Sequence, residues 1–227
     1  MHSAKKTVLV STAIMAVALG AWSTPSWAQA NSMSFFVTSA NPGKGADFGG
    51  LAGADAYCET LAAKVGAPGR NWHAYLSAIA GGGAAAVNAR DRIGRGPWQN
   101  VKGEVIARNV DELHGNNNLS KLTALTEKGE TVSGRGDPVN TNDILTGSTA
   151  EGLVMNSGKD TTCGNWTQSG EGSAIVGHHN RIGTDESAPM KSWNSSHATR
   201  GCSMAELKTT GGAGLLYCFA ANYSNLH

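Results

Sequence analysis

Eleven residues near the C-terminus, SWNSSHATRGC at 192–202, bring a tryptophan, three serines, a histidine and a cysteine together. A serine nucleophile needs a base within hydrogen-bond reach and a third group that orients that base. Ser195, Ser196 and His197 supply two of those residue types. Neighbours on an extended chain point to opposite faces, however, so adjacency in sequence does not assemble them. No G-x-S-x-G elbow surrounds the serines. The stretch therefore reads as the polar lining of a loop and not as a catalytic serine site.

A second polar cluster precedes it. VGHHNRIGTDES, residues 176–187, contributes His178, His179, Asp185 and Glu186, all acceptable ligands for zinc or copper. Their spacing matches no strong metal pattern such as H-E-x-x-H, so no metal is assigned to them. Convergent polar groups suit a sugar pocket better. In that pocket Asn194, His178, His197 and Asp185 meet hydroxyls, and Trp193 offers a stacking face. The competing expectation for Trp193 is burial in the core.

Two further motifs have plain explanations. ARDRIGRGPWQN places Arg90, Asp91, Arg92 and Arg95 beside Trp98. Guanidinium forks can take an acidic ligand, but charge clusters usually pair nearby, and Arg to Asp91 or Glu104 is the expected arrangement. GRGDP contains the integrin-type tripeptide Arg135-Gly136-Asp137. Its turn residues account for it as a loop tip.

The elements that must position these residues are mostly short. One helix is clear in GLAGADAYCETLAAKVGA, where Leu51, Ala54, Cys58, Leu61 and Val65 recur at helical spacing on one face. Gly66 and Pro68 stop it. Cys58 lies on the buried face. Strand expectations fall on MSFFVTS, NWHAYLS, GEVIA, DILTGS, CGNWTQS and GLLYCFAAN. A helical turn is expected from Val110 to His114. GGGAAAV reads as a loop of low complexity. The fold class is α+β, as one domain with long polar loops.

The N-terminus has the three parts of a secretory signal peptide: Lys5 and Lys6, an apolar run from Val8 to about Trp22, then STPSWAQA. Cleavage is expected after Ala28, in preference to the alternative after Ala30, and leaves 199 residues, 29–227, which fits one domain. The net charge falls from +1 to −1 because two lysines and no acids are removed. That balance lacks the basic footprint of a nucleic-acid binder. No later apolar run reaches the ~20 residues of a bilayer span. Cys58, Cys163, Cys202 and Cys218 are separated by 105, 39 and 16 positions, which does not suit a four-cysteine zinc site. An exported chain with four cysteines is expected to form two disulfides, and three pairings are open. Joining Cys58 to Cys218 would tie the ends of the domain together, with Cys163 and Cys202 stapling a nested loop.

The residues resemble the C-type lectin-like fold. SWNSSHATRGCSMAELKTTGGAGLLYCFAAN is similar to that family's Trp-Asn-Asp strand, third cysteine and final strand with the fourth. GGLAGADAYCETLA resembles its first helix with the first cysteine, and DILTGSTAEG with CGNWTQS looks like the bacterial, endostatin-like branch. The resemblance covers about 35–220 and implies the nested pairing. Members of that branch are exported, and several are described as lectins or as adhesins that bind host matrix. In calcium-dependent relatives a Glu-Pro-Asn or Gln-Pro-Asp triplet joins the Trp-Asn-Asp strand to hold a calcium that bridges to sugar. Here Ser195 replaces that aspartate and no such triplet lies between DILTGS and Trp193. Calcium needs six to eight oxygens, carboxylates among them, so the usual calcium site is not expected. The resemblance implies an exported binding module and not an enzyme. Its expected partner is a glycan bound without the calcium triplet, or, alternatively, a protein of the host extracellular matrix or another surface protein.

Overall fold

In a computed structural model of the chain, the structure describes Met1 and residues 32–221. The expected signal peptide, 1–28, lies outside the described residues apart from Met1. Eight strands, five α-helices and one 3-10 turn (Pro189–Lys191) make a mixed α+β arrangement among the described residues. No helix among them is long and apolar enough to cross a membrane.

The last strand organises the sheet. β8 (Gly212–Ala220) runs for nine residues. β1 (Phe35–Val37) pairs antiparallel along one side of it, with Phe36 opposite Cys218. The first half of its other side takes β5 (Asp143–Leu145) in parallel. The last residues there take β2 (Trp72–Ala74) antiparallel. β6 (Ile175–His178) follows β5, and β7 (His197–Ala198) forms the far edge. A separate ribbon joins β3 (Trp98–Gln99) to β4 (Val105–Ala107).

Both faces of this sheet are covered, so its strands are apolar on both sides. Alternation along β8 divides the core. Leu216, Cys218 and Ala220 face α1 (Gly50–Lys64) together with Phe36, Trp72, Leu145, Val176 and Trp166. Leu215, Tyr217 and Phe219 face the loop layer together with Phe35, Tyr75, Trp98, Ile106 and Trp193. α1 buries Ala54, Cys58, Leu61 and Ala62 against the first face, as its apolar spacing predicts. A disulfide joins Cys58 to Cys218 and a second joins Cys163 to Cys202. The outer bond fastens α1 to β8 across the buried layer.

The loop layer carries α2 (Ala89–Arg92) and α3 (Val110–His114). Arginines of this region pair internally, but not with the expected acids: Arg92 meets Asp55 of α1 at 2.6 Å and Arg90 meets Asp111 at 3.3 Å. CGNWTQS is not a strand. Residues Cys163–Trp166 form α4, a single turn in which all four φ angles are positive, from 48° to 68°. Local bonds over-determine this left-handed turn. Asp160 accepts from the Thr162 and Gly164 amides, the Asn165 side chain bonds both backbone groups of Ile79, and Cys163 is fixed by its disulfide. α5 (Met204–Thr210) starts with a full capping box between Ser203 and Glu206.

Candidate functional site

The sheet's helix-facing side is apolar at Leu145 and Val176, which lie opposite one another on β5 and β6. One step further along, the next opposed pair on the same face is Asp143 and His178. On β7, His197 pairs with Val176 and so projects from that same face. Strand pairing thus turns an apolar row into a polar cluster of one carboxylate and two imidazoles. His178 Nε2 lies 3.4 Å from Asp143 Oδ1, and His197 Nε2 lies 3.5 Å from Asp143 Oδ2. The two rings meet edge to face, 5.2 Å between centroids.

Burial is severe at the centre of this cluster. The side chains of Asp143 and His178 are 1% and 4% exposed, whereas His197 is 28% exposed. Neither Asp143 oxygen accepts a hydrogen bond. Burial pushes the Asp143 carboxyl up, but the two imidazoles facing it outweigh that and hold it below its ordinary value. The same carboxylate raises His197 against the opposing effect of burial. Each ring is held from behind by a main-chain carbonyl: His178 Nδ1 lies 2.8 Å from Met190 O, and His197 Nδ1 lies 3.2 Å from Ala198 O. A ring that donates from Nδ1 to its carbonyl presents Nε2 to Asp143. One oxygen and two nitrogen donors, all within 4.8 Å of one another, are the atoms able to hold a metal ion.

Above the cluster opens a cavity of about 150 Å³. Arg135, Asn140, Asn142, Thr184 and Thr210 border it. A groove of about 560 Å³ continues from it, sharing Arg135, Asn140 and Thr210 and adding Lys208.

The five sequence-predicted ligand residues do not meet in one place. His178 and His197 converge, and the carboxylate they meet is Asp143 instead of Asp185. Asp185 is exposed, and its side chain accepts from the Ser187 amide two residues on. Trp193 and Asn194 border a different hollow, of about 690 Å³, beside His114, Arg181 and Lys191. Trp193 is 4% exposed and packs between Tyr75 and Tyr217, so no ring face is free for stacking. Asn194 is 1% exposed. Its amide nitrogen is within bonding distance of the Tyr75 hydroxyl and of the Thr149 and Ala150 carbonyls, and its oxygen accepts from Ser192. Both residues are structural.

Ser196 does come close to a histidine, though not to its neighbour His197. Its Oγ lies 3.3 Å from both Nδ1 and Nε2 of His178, against the ring edge between them. A triad needs one ring nitrogen on the serine and the other on the acid. Here Met190 O holds one nitrogen and Asp143 faces the other. Asp137 of the Arg-Gly-Asp tripeptide is likewise committed, to Lys121 at 2.5 Å and to the Gly134 amide at 2.8 Å.

Asp143 carried a sequence signal that went unused. An aspartate opening the apolar run DIL is a charge at the end of a buried strand, and such charges need partners. No family model matches the chain, and none of the curated proteins compared with it matches.

Proposed function

We propose that this chain is an exported, C-type lectin-like binding module that recognises a carbohydrate without the calcium triplet of its calcium-dependent counterparts. The observation that carries this reading is the polar rim over Asp143, where Arg135, Asn140, Thr184 and Thr210 surround one small opening. Guanidinium, amide and hydroxyl groups at those positions suit a ligand dense in hydroxyls. The opening is well below the ~300 Å³ of a drug-sized site, which favours a single sugar unit there and further units along the adjoining groove. The nested disulfides and the antiparallel pairing of the first and last strands agree with the fold the sequence resembles. Export to the periplasm or the cell exterior rests on the N-terminal pattern and on the two disulfides.

Binding of the purified chain to a glycan array, with and without EDTA, tests this reading. Arg135→Ala and Asn140→Ala are expected to weaken any sugar binding about tenfold each, a loss of ~1.4 kcal/mol. Sugar binding that EDTA abolishes and calcium alone restores would contradict the calcium-free reading. Absence of sugar binding together with tight binding to a matrix protein would replace the lectin by an adhesin.

A further inference from the structure

The Asp143–His178–His197 cluster poses a physical problem: its carboxylate accepts no hydrogen bond, and its two ion-pair contacts to the imidazoles are long. A carboxylate that is 1% exposed must be compensated, because burying an unpaired charge is costly. Protonated imidazoles would supply the compensation, and charge-assisted N–H···O bonds close to about 2.7–2.9 Å. The separations here are 3.4 and 3.5 Å, and neither makes a hydrogen bond to the carboxylate. Two ligands bound at about 2.0–2.1 Å with tetrahedral angles lie about 3.4 Å apart; each imidazole nitrogen has about that separation from one oxygen of the carboxylate, and the three donors lie within 4.8 Å of one another.

The surroundings repeat the design of metal sites. A metal-ligating histidine almost always gives its other ring N–H to a carbonyl or carboxylate, which fixes the tautomer and the ring orientation. Both histidines have such a carbonyl, Met190 O for His178 and Ala198 O for His197. Three protein donors with a cavity on the remaining side match a site that leaves one position open. Two imidazoles and one carboxylate do not suit calcium or magnesium, which take oxygen ligands.

We propose that Asp143, His178 and His197 bind a divalent transition-metal ion, zinc by its donor set, with one coordination position facing the pocket. This does not rest on carbohydrate recognition; it rests on the geometry of the three side chains. If both hold, a ligand hydroxyl or carboxylate reaches the ion from the pocket.

Calorimetry with zinc, on the purified chain after EDTA treatment and removal of the chelator, gives the stoichiometry. Cobalt(II) added in its place reports the ligand field by its visible absorption. The expected result is one zinc per chain and a cobalt spectrum of tetrahedral intensity. Asp143→Asn and His197→Ala should each weaken zinc at least about 100-fold and abolish the cobalt bands. Asp185→Ala should leave both unchanged. Near-ultraviolet circular dichroism certifies folding, and His197→Ala, at a partly exposed edge position, keeps the test alive if Asp143→Asn fails to fold. No zinc bound by the folded wild type, or equal zinc binding by wild type and both variants, would overturn the proposal. Neither result depends on whether any sugar binds.

Discussion

Asn194 and His178 sit sixteen positions apart and were equally plausible ligand residues from their types alone. Their surroundings separate them. Asn194 spends its amide on Tyr75, Thr149 and Ala150, and so fastens the 192–196 segment to the loop layer. His178 keeps one nitrogen turned toward a carboxylate and a pocket. Asn194→Ala would leave a buried hydroxyl and two carbonyls short of a donor, and each such group costs about 1–3 kcal/mol. The expected loss is about 2–4 kcal/mol of folding stability by urea unfolding, with zinc affinity retained in the folded fraction. A loss below about 0.5 kcal/mol accompanied by lost ligand binding would return Asn194 to a ligand role.

At the scale of elements, the site depends on how closely the 193–194 backbone crosses β6. Gly177 lies between Val176 and the cluster residue His178, and a Cβ there would overlap the Trp193 carbonyl and the Asn194 amide. Both obstacles are main chain, so no side-chain rotation relieves them. His178 N donates to Ser192 O and Ser196 N donates to Val176 O, on either side of that crossing. Gly177→Ala should therefore push the segment off β6 and carry His197 with it. Expected are a loss of about 2–3 kcal/mol, in the range of overpacked core sites, and weakened zinc binding. Full stability in thermal unfolding would show that the crossing is not close-packed in solution. Sequence reading anticipated α1, α3 and the strands around Phe35, Trp72, Val105, Asp143 and β8, because each carries its own periodicity or turn chemistry. α5 was missed although its Ser203-x-x-Glu206 signature is legible. β6 carries no strand signal of its own, since its four residues include a glycine and a histidine and show no alternation. The CGNWTQS turn was misread because a left-handed turn is decided by Asp160, Asn165 and the disulfide and not by local propensity.

At the scale of the whole molecule, two cross-links of different span hold the same core. The Cys58–Cys218 bond closes 160 positions and the Cys163–Cys202 bond closes 39. In the chain-entropy model these are worth about 5 and about 4 kcal/mol. Replacing each pair by alanines and measuring urea unfolding should show both losses, with the outer pair the larger. A loss under about 1 kcal/mol for the outer pair would mean that β1, β2 and β8 hold the ends without it. The sequence by itself determined the class of fold, the early helix with Cys58 on its buried face and the long final strand. Those features follow from local spacing, which any stretch carries wherever it ends up. Only the tertiary structure decided the site. Asp143, His178 and His197 come from three strands, and they meet because antiparallel pairing on either side of β6 puts them on one face. Cross-strand register is a relation between distant segments and leaves no mark on the spacing within any one of them.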